Sequence, residues 1–500
     1  MSKQYIKVPS FTTINEIIDK EYTLSATQYK SLCIKNNNKK FLADFLDREL
    51  KRSDLGYEVG SENYVDYSSY KFIKTKALQP ESYLPNITKE SLQYITPKSY
   101  IKTNLKKGDI LISKDGNVGE AIILDKDYPN TMLCSGIYKL PITINKYYLL
   151  AFIKNEIFKQ QIDFLVPRGS TIRHGKTKFL ECLIPIPNKN KENIVKFIEL
   201  LVQAIINKEI EIKRKHKAIL MNIQKELEKN QKNEIFKFEY PTVNEILKLD
   251  RMDANIYSRE FKKEEFLINN YKYGFSTIEN LGFSISRGQN LQVSSIGKSI
   301  QTEKYINGYY TLVLPKFLTK YGTISTKKYL GNVNKLKTLL KGDLIFGAEG
   351  NEKGRSLVII EEQEKLITNI HGIILKQKEH NIIKGIFIKL FLDYYRDRGL
   401  IDAYAVGSNG GSLAIKYWSF LKFPNFPEDK EKEIVKIYHN ADIKYSLNNI
   451  SLENFLEYDT NFNMKAGIYE LDKSLKYLKQ KLDKTLDCII NDVEVNIKFD

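Results

Sequence analysis

The chain has 500 residues, of which 42% are hydrophobic and 12% aromatic, so it can form folded cores and is not a wholly disordered protein. Its 78 basic residues outnumber 61 acidic ones and give a net charge of +17. That balance is typical of a protein that binds a polyanion, although a lysine-rich soluble surface would give it too. No signal-peptide core and no run of about 18 apolar residues occurs, so we expect a cytoplasmic protein that does not enter a membrane.

Metal and redox chemistry are not expected from the cysteines and histidines. The four cysteines contain no C-x-x-C pair, and the five histidines contain no H-x-x-x-H pair. We therefore predict reduced thiols, no metal site and no cofactor. No G-x-x-x-x-G-K-[ST] loop for ATP is present either.

The most informative feature is a long internal repeat. A Lys-Gly-Asp turn at 107–109 leads into an apolar run, then an acidic residue, a glycine and an asparagine, and the same order recurs from residue 341. Upstream, LSATQY at 24–29 matches MDANIY at 252–257. Downstream, IPIPN followed by KENIVKF matches FPNFPED followed by KEIVKIY. The period is too long for a solenoid or propeller, so these matches predict a duplicated domain.

Each copy contains a loop between two apolar runs that could contact nucleic acid. In the first copy this is KDGNVG at 114–119, where Lys114 and Asn117 offer groups for phosphates and base edges. Its counterpart carries Asn351, Lys353 and Arg355. A tight hairpin with solvated polar residues would explain the same sequence without any ligand.

A second candidate is a Gly-Ser element that follows a helical stretch in each copy. In the first copy it offers arginines for guanine or phosphate and hydroxyls for backbone oxygens, and in the second copy it is polar and glycine-rich. The residues are Arg168, Ser170, Thr171, Arg173, Ser408 and Asn409. A structural loop turned by glycine is the alternative interpretation.

A long helix is predicted after the first copy, at 191–229, because this stretch has no Pro or Gly. Its isoleucines recur every seven residues, which is a coiled-coil pattern, and a helix of this length would span about 57 Å. A leucine stripe near the C-terminus offers a partner for antiparallel packing. The predicted seam consists of Ile198, Ile205, Ile212, Ile219, Leu475, Leu478 and Leu482. After KEIVKIY, polar residues 442–463 interrupt the equivalent second helix.

These residues, in this order, resemble the specificity subunit of a type I restriction-modification enzyme. The resemblance implies two target-recognition domains separated by helices, which bind double-stranded DNA at a two-part target with an unspecific gap. It also implies two methyltransferase subunits and a restriction and translocation subunit as partners. Because the copies differ in their loops, we expect the two halves of the target to be unlike.

The expected fold is mixed α/β, with two similar domains separated by long antiparallel coiled-coil helices. The expected boundaries are residues 1–190 for the first target-recognition domain, 191–235 for the central helix, 236–430 for the second domain and 431–500 for a distal helical region. Such a spacer would hold the two domains at opposite ends.

No active site is expected in this chain. The glycine-rich cofactor loop and the N/D-P-P-Y/F motif of the methyltransferase partners are both missing. Three other functions stay open at this point: a protein-interaction scaffold, a recognition module of another phage-defence system, and a self-sufficient modifying enzyme.

Overall fold

The computed structural model describes residues 5–24, 26–166, 174–350, 353–363, 365–407 and 411–499. These residues form two compact units. The first unit comprises the described parts of 2–211, 445–464 and 473–500, and the second comprises those of 212–444 and 465–472. The units mix short strands with helices, which confirms the predicted α/β class.

The strands of the first unit are β1 (Ile6–Lys7), β2 (Ser31–Leu32), β3 (Lys39–Phe41), β4 (Tyr64–Val65), β5 (Lys71–Ile73), β6 (Leu92–Ile95), β7 (Ile110–Ser113), β8 (Ala121–Ile123), β9 (Thr131–Leu133), β10 (Ile137–Leu140) and β11 (Leu183–Pro185). Those of the second unit are β12 (Phe275–Ser276), β13 (Phe283–Arg287), β14 (Ile300–Thr302), β15 (Tyr310–Leu312), β16 (Lys328–Gly331), β17 (Leu344–Gly347), β18 (Ser356–Val358), β19 (Leu366–Ile367), β20 (Gly372–Gln377) and β21 (Phe423–Pro424). The helices are α1 (Ile14–Asp19), α2 (Lys146–Lys154), α3 (Glu156–Leu165), α4 (Lys191–Lys229), α5 (Val243–Leu249), α6 (Arg259–Asn269), α7 (Val293–Ile296), α8 (Ile382–Asp397), α9 (Leu400–Tyr404), α10 (Glu428–Tyr438), α11 (Phe455–Lys465) and α12 (Ile468–Ile490).

The two units share one strand order. A four-stranded sheet runs β4-β6-β5-β9 in the first unit and β14-β16-β15-β19 in the second, and the last pair of each is parallel. A separate hairpin sheet has the order β10-β7-β8 in the first unit. In the second unit its order is β13-β20-β17-β18, in which β13 is an additional strand. Short pairs β11-β3 and β21-β12 complete the match. The copies are therefore similar in topology, as the repeated sequence predicts.

The hairpin sheets also share their core positions. Leu111 pairs with Ile122 in the first unit, and Ile345 pairs with Leu357 in the second. All four side chains belong to the buried apolar clusters of their units. Burial of these side chains fixes the register, because a shift by one residue would turn them to the other face of the sheet.

The helical stretch predicted before the Gly-Ser element is broken in the first unit. The stretch 147–162 forms two helices because Asn155 takes an extended conformation, with φ −79° and ψ 154°. Its side chain then accepts a hydrogen bond from the Ile157 amide and caps α3. The equivalent α8 of the second unit runs without a break from Ile382 to Asp397.

Helix α4 is continuous over 39 residues, which confirms the long predicted helix. All seven side chains of the predicted seam are buried. Within the first unit, the Lys479 ammonium of α12 lies 2.9 Å from the Glu209 carboxylate of α4. This unit contains the beginning of α4 and the end of α12, as antiparallel packing of the two helices predicts.

The interrupting segment packs against α4 within the first unit. Lys208 of α4 is fully buried, and its ammonium lies 2.7 Å from the Asp459 carboxylate and 2.7 Å from the side-chain amide oxygen of Asn463. The Tyr445 hydroxyl donates to the same Asp459 carboxylate at 2.7 Å. Burial lowers the pKa of Lys208 to about 8, and the Asp459 charge opposes that shift. Residues far apart in the chain are thus held together by one buried ion pair.

Candidate nucleic-acid interface

The Gly-Ser element spans 168–174 in the first copy and 408–412 in the second, and in each unit the hairpin loop contacts its last residue. In the first unit, Asp115 forms an isolated β-bridge with His174, and the Gly175 amide donates to the Lys114 carbonyl at 2.7 Å. In the second unit, Glu349 forms the equivalent bridge with Ser412. The hairpin loop of each unit therefore contacts the described end of its Gly-Ser element, at His174 in the first unit and at Ser412 in the second.

Glycine is required where each loop folds back against a helix. Gly119 has φ +84°, and a Cβ atom there would lie 2.8 Å from Ile162 of α3. Gly354 has φ +82°, and a Cβ atom there would lie 2.9 Å from Arg396 of α8. Both the backbone conformation and the close approach exclude larger residues, which explains the glycine at the end of each loop.

A basic, an acidic and an imidazole group are joined at the loop of the first unit. The Lys114 ammonium lies 2.6 Å from Oδ2 of Asp115, and the other carboxylate oxygen lies 2.8 Å from Nδ1 of His174. The His174 side chain is 64% exposed, whereas that of Asp115 is 18% exposed. The carboxylate is thus shielded while the ring is accessible.

The second unit contains the same three groups from different positions. The Arg287 guanidinium, at the end of β13, lies 3.1 Å from Oε1 of Glu349. The other oxygen of Glu349 lies 2.6 Å from Nδ1 of His371, which directly precedes β20. The His371 side chain is 61% exposed. Each unit therefore presents one oriented imidazole at its hairpin loop.

This arrangement selects the chemistry that each ring can offer. An ionised carboxylate only accepts hydrogen bonds, so Nδ1 of the histidine carries the proton that it donates. In the neutral ring Nε2 is then an acceptor, which suits the amino groups of cytosine or adenine. In the imidazolium it is a donor, which suits a phosphate or the major-groove edge of guanine.

The sequence-predicted residues of these loops have different surroundings. Lys114 joins the group around Asp115, and Asn117 is exposed in the same loop. Lys353 is paired with Asp402 at 2.6 Å and its side chain is only 11% exposed. Arg355 donates to the Leu318 carbonyl at 2.8 Å. The last two charges are thus partly engaged within the second unit.

Arg355 belongs to a partly buried group of basic side chains in the second unit. Burial, followed by the charges of Lys213, Arg396 and Arg355, lowers the pKa of Lys320 to about 8. The remaining predicted DNA-binding residues lie outside the described residues. They are Arg168, Ser170, Thr171, Arg173, Asn351, Ser408 and Asn409.

From the sequence, neither His371 nor Arg287 was a candidate, and His174 was only the last residue of the Gly-Ser element, with no role of its own. The sequence feature that pointed to these groups was the acidic residue at the same place in both loops, Asp115 and Glu349. The sequence could not identify the partners of Glu349, because Arg287 at the end of β13 and His371 just before β20 are 62 and 22 residues away from it along the chain.

The described residues contain no group of three or more His, Cys, Asp or Glu side chains arranged to hold a metal ion. All four cysteines are free thiols. Within the described part of the chain, none of the helices combines the length and the apolar character needed to cross a membrane.

Part of the chain matches a known protein-family model. Residues 58–237 match the model of the type I restriction modification DNA specificity domain. No curated protein matches. Among solved structures, the S subunit of a type I restriction-modification system from M. genitalium is 15% identical, covers 90% of this chain and 97% of its own, and has a TM-score of 0.40. The HsdS subunit from Thermoanaerobacter tengcongensis is 11% identical, covers 91% and 96%, and has a TM-score of 0.26.

Proposed function

Because residues 58–237 carry a type I restriction modification DNA specificity domain, we propose that the whole chain is a sequence-specific DNA-binding subunit. Each unit reads one half of a two-part target on double-stranded DNA. The observation that carries this proposal is the recurrence of one arrangement, a hairpin loop joined to a Gly-Ser element with an accessible histidine, in both units. Side chains on such loops are suited to contact base edges in a groove.

The two halves of the target are unlike. Lys114 in the first unit neighbours its carboxylate in sequence, whereas Arg287 in the second comes from another strand. The histidines also arise from different elements. Two readers that present different side chains from different directions favour different bases, so the target is asymmetric.

The chain acts through partners and has no active site of its own. Two methyltransferase subunits and a restriction and translocation subunit bind it, and they supply the catalysis and the cofactors. Isolated chain mixed with S-adenosylmethionine and target DNA is expected to transfer no methyl group. Measurable transfer would overturn this part of the proposal.

Salt dependence tests DNA binding against a scaffold role. The net charge of +17 predicts that affinity for DNA falls steeply between low and moderate salt, because bound phosphates release counterions. A complex with other proteins that forms without DNA, and an affinity for DNA that does not change with salt, would favour the scaffold.

The decisive experiment maps methylated adenines in the source genome with and without this gene. Loss of one gapped, non-palindromic motif is the expected result. Exchange of residues 10–187 for those of another family member should then change one half of that motif only. A change in both halves, or in neither, would contradict the assignment of one reader to each unit.

A further inference from the structure

A short capped helix in the first unit exposes an apolar set of side chains. Helix α1 begins after Thr13, whose side chain and Glu16 form a reciprocal capping box. Ile14 and Ile18 are 76% and 46% exposed, and Phe11, two residues before the cap, is 81% exposed. Side chains four residues apart lie on one face of a helix, so Ile14 and Ile18 point the same way.

The second unit repeats this helix. Helix α5 begins after Thr242, which forms the same capping box with Glu245. Val243 and Leu247 are 72% and 71% exposed, and Tyr240, two residues before the cap, is 84% exposed. Counted from the capping threonine, the aromatic and the two aliphatic residues occupy the same places in both units.

The burial pattern of the two helices is also shared. Ile17 and its counterpart Ile246 are half-buried, whereas the two aliphatic residues that share one face of each helix are exposed. In the second unit, Glu245 is tied to Lys262 of α6 at 3.3 Å. In the second unit, the exposed face thus belongs to a helix that is attached to α6 through Glu245. An apolar face that faces water costs free energy, and its recurrence in both units indicates a binding role.

The charges of these segments do not suit nucleic acid. Residues 11–24 contain one lysine and three acidic residues, and residues 240–252 contain two basic and two acidic residues. In a chain with a net charge of +17, these segments lack the excess of positive charge that phosphate binding needs. Apolar anchors at helical spacing with little net charge fit a groove on another protein.

We propose that the α1 and α5 segments are equivalent docking sites for two copies of one protein, the methyltransferase subunit. Each copy receives one aromatic and two aliphatic side chains in an apolar groove: Phe11, Ile14 and Ile18 from one site, and Tyr240, Val243 and Leu247 from the other. Two matching sites on one chain require a partner that binds twice. The identity of that partner rests on the proposed function, whereas the location of the sites rests on the exposed residues.

Native mass spectrometry of the full chain with the methyltransferase subunit of the same system tests the proposal. The unaltered chain should bind two copies. Ile14→Asp with Ile18→Asp should leave one copy, Val243→Asp with Leu247→Asp should leave one copy, and all four substitutions should leave none. Because each pair removes central apolar anchors, affinity at the altered site should fall roughly tenfold or more. These side chains are exposed, so the fold should be retained, as circular dichroism and unaltered DNA affinity would verify.

Matched controls place the same charge on the polar side of each helix. Asn15→Asp and Asn244→Asp are exposed positions in α1 and α5, and both variants should still bind two copies. Two copies bound to the fourfold variant would overturn the docking sites and leave the proposed function intact. If the methyltransferase subunit bound neither the unaltered chain nor any variant, and the unaltered chain bound DNA without sequence specificity, the proposed function would be overturned instead. Self-association of the chain that the substitutions abolish, with methyltransferase binding unchanged, would also contradict the proposal.

Discussion

The two units form similar ion pairs, but where one unit uses residues that are close in the sequence, the other uses residues that are far apart. At the hairpin loop, the first unit takes its cation from the neighbouring residue Lys114, whereas the second takes Arg287 from another strand. In the core the relation is reversed. The buried Lys208 of the first unit pairs with the distant Asp459, whereas Lys389 of the second pairs with Asp393 on the same helix at 2.6 Å.

Strand order and chemistry thus persist in the two copies, whereas the positions of the charged residues do not. A duplicated domain can keep its backbone arrangement and still reach a new specificity, because each charged group needs only a partner within about 3 Å in space.

Breaking the long-range pair of the first unit should be the most damaging change. Lys208→Met leaves Asp459 buried without its cation, so the free energy of unfolding should fall by about 3–5 kcal/mol. Urea denaturation measures this loss. Lys208→Met with Asp459→Asn removes both charges and should lose less. A double variant that is no more stable than the single one would show that the pair does not stabilise the fold through its charges.

The local pair of the second unit should tolerate the same change better. Asp393 also lies 3.3 Å from Nε2 of His216, which remains after Lys389→Met. The loss of unfolding free energy should therefore be about 1–3 kcal/mol, smaller than that of Lys208→Met. Equal losses from the two variants would show that the local and long-range pairs are equivalent.

The exposed histidines should separate the two halves of the target. His174→Ala should weaken binding about tenfold through the half-site of the first unit, and His371→Ala through that of the second. Fluorescence anisotropy with duplexes scrambled in one half at a time distinguishes them. His380→Ala, an exposed histidine beside the Lys341 carbonyl, is the matched control and should change neither. If His174→Ala or His371→Ala weakened binding through both half-sites equally, the assignment of one half-site to each unit would be wrong.

The smallest effect is expected at Lys353. Because its charge is already paired with Asp402, Lys353→Met should change the slope of log affinity against log salt by less than about one. Asp402→Ala frees this ammonium and should steepen the slope. A large loss of slope in Lys353→Met would mean that the lysine leaves Asp402 to bind phosphate.

The repeated sequence alone determined the α/β class, the paired hairpins and the long helix, because alternating apolar runs and a seven-residue stripe depend on neighbouring residues. The capped α1 and α5 segments, with T-I-N-E-I-I and T-V-N-E-I-L, were also readable as a repeat. Their exposure was not, since an amphipathic pattern does not tell whether its apolar face packs inward or meets a partner.

Only the tertiary structure decided which charges meet. Asp115 and Glu349 were visible as a repeated acidic position, yet the partners of Glu349, His371 and Arg287, are 22 and 62 residues away from it along the chain. Likewise, nothing near Lys208 in the sequence indicates Asp459. Hydrogen bonds and ion pairs act over a few ångströms in space, and the folding of the chain, not the distance along it, brings such groups together.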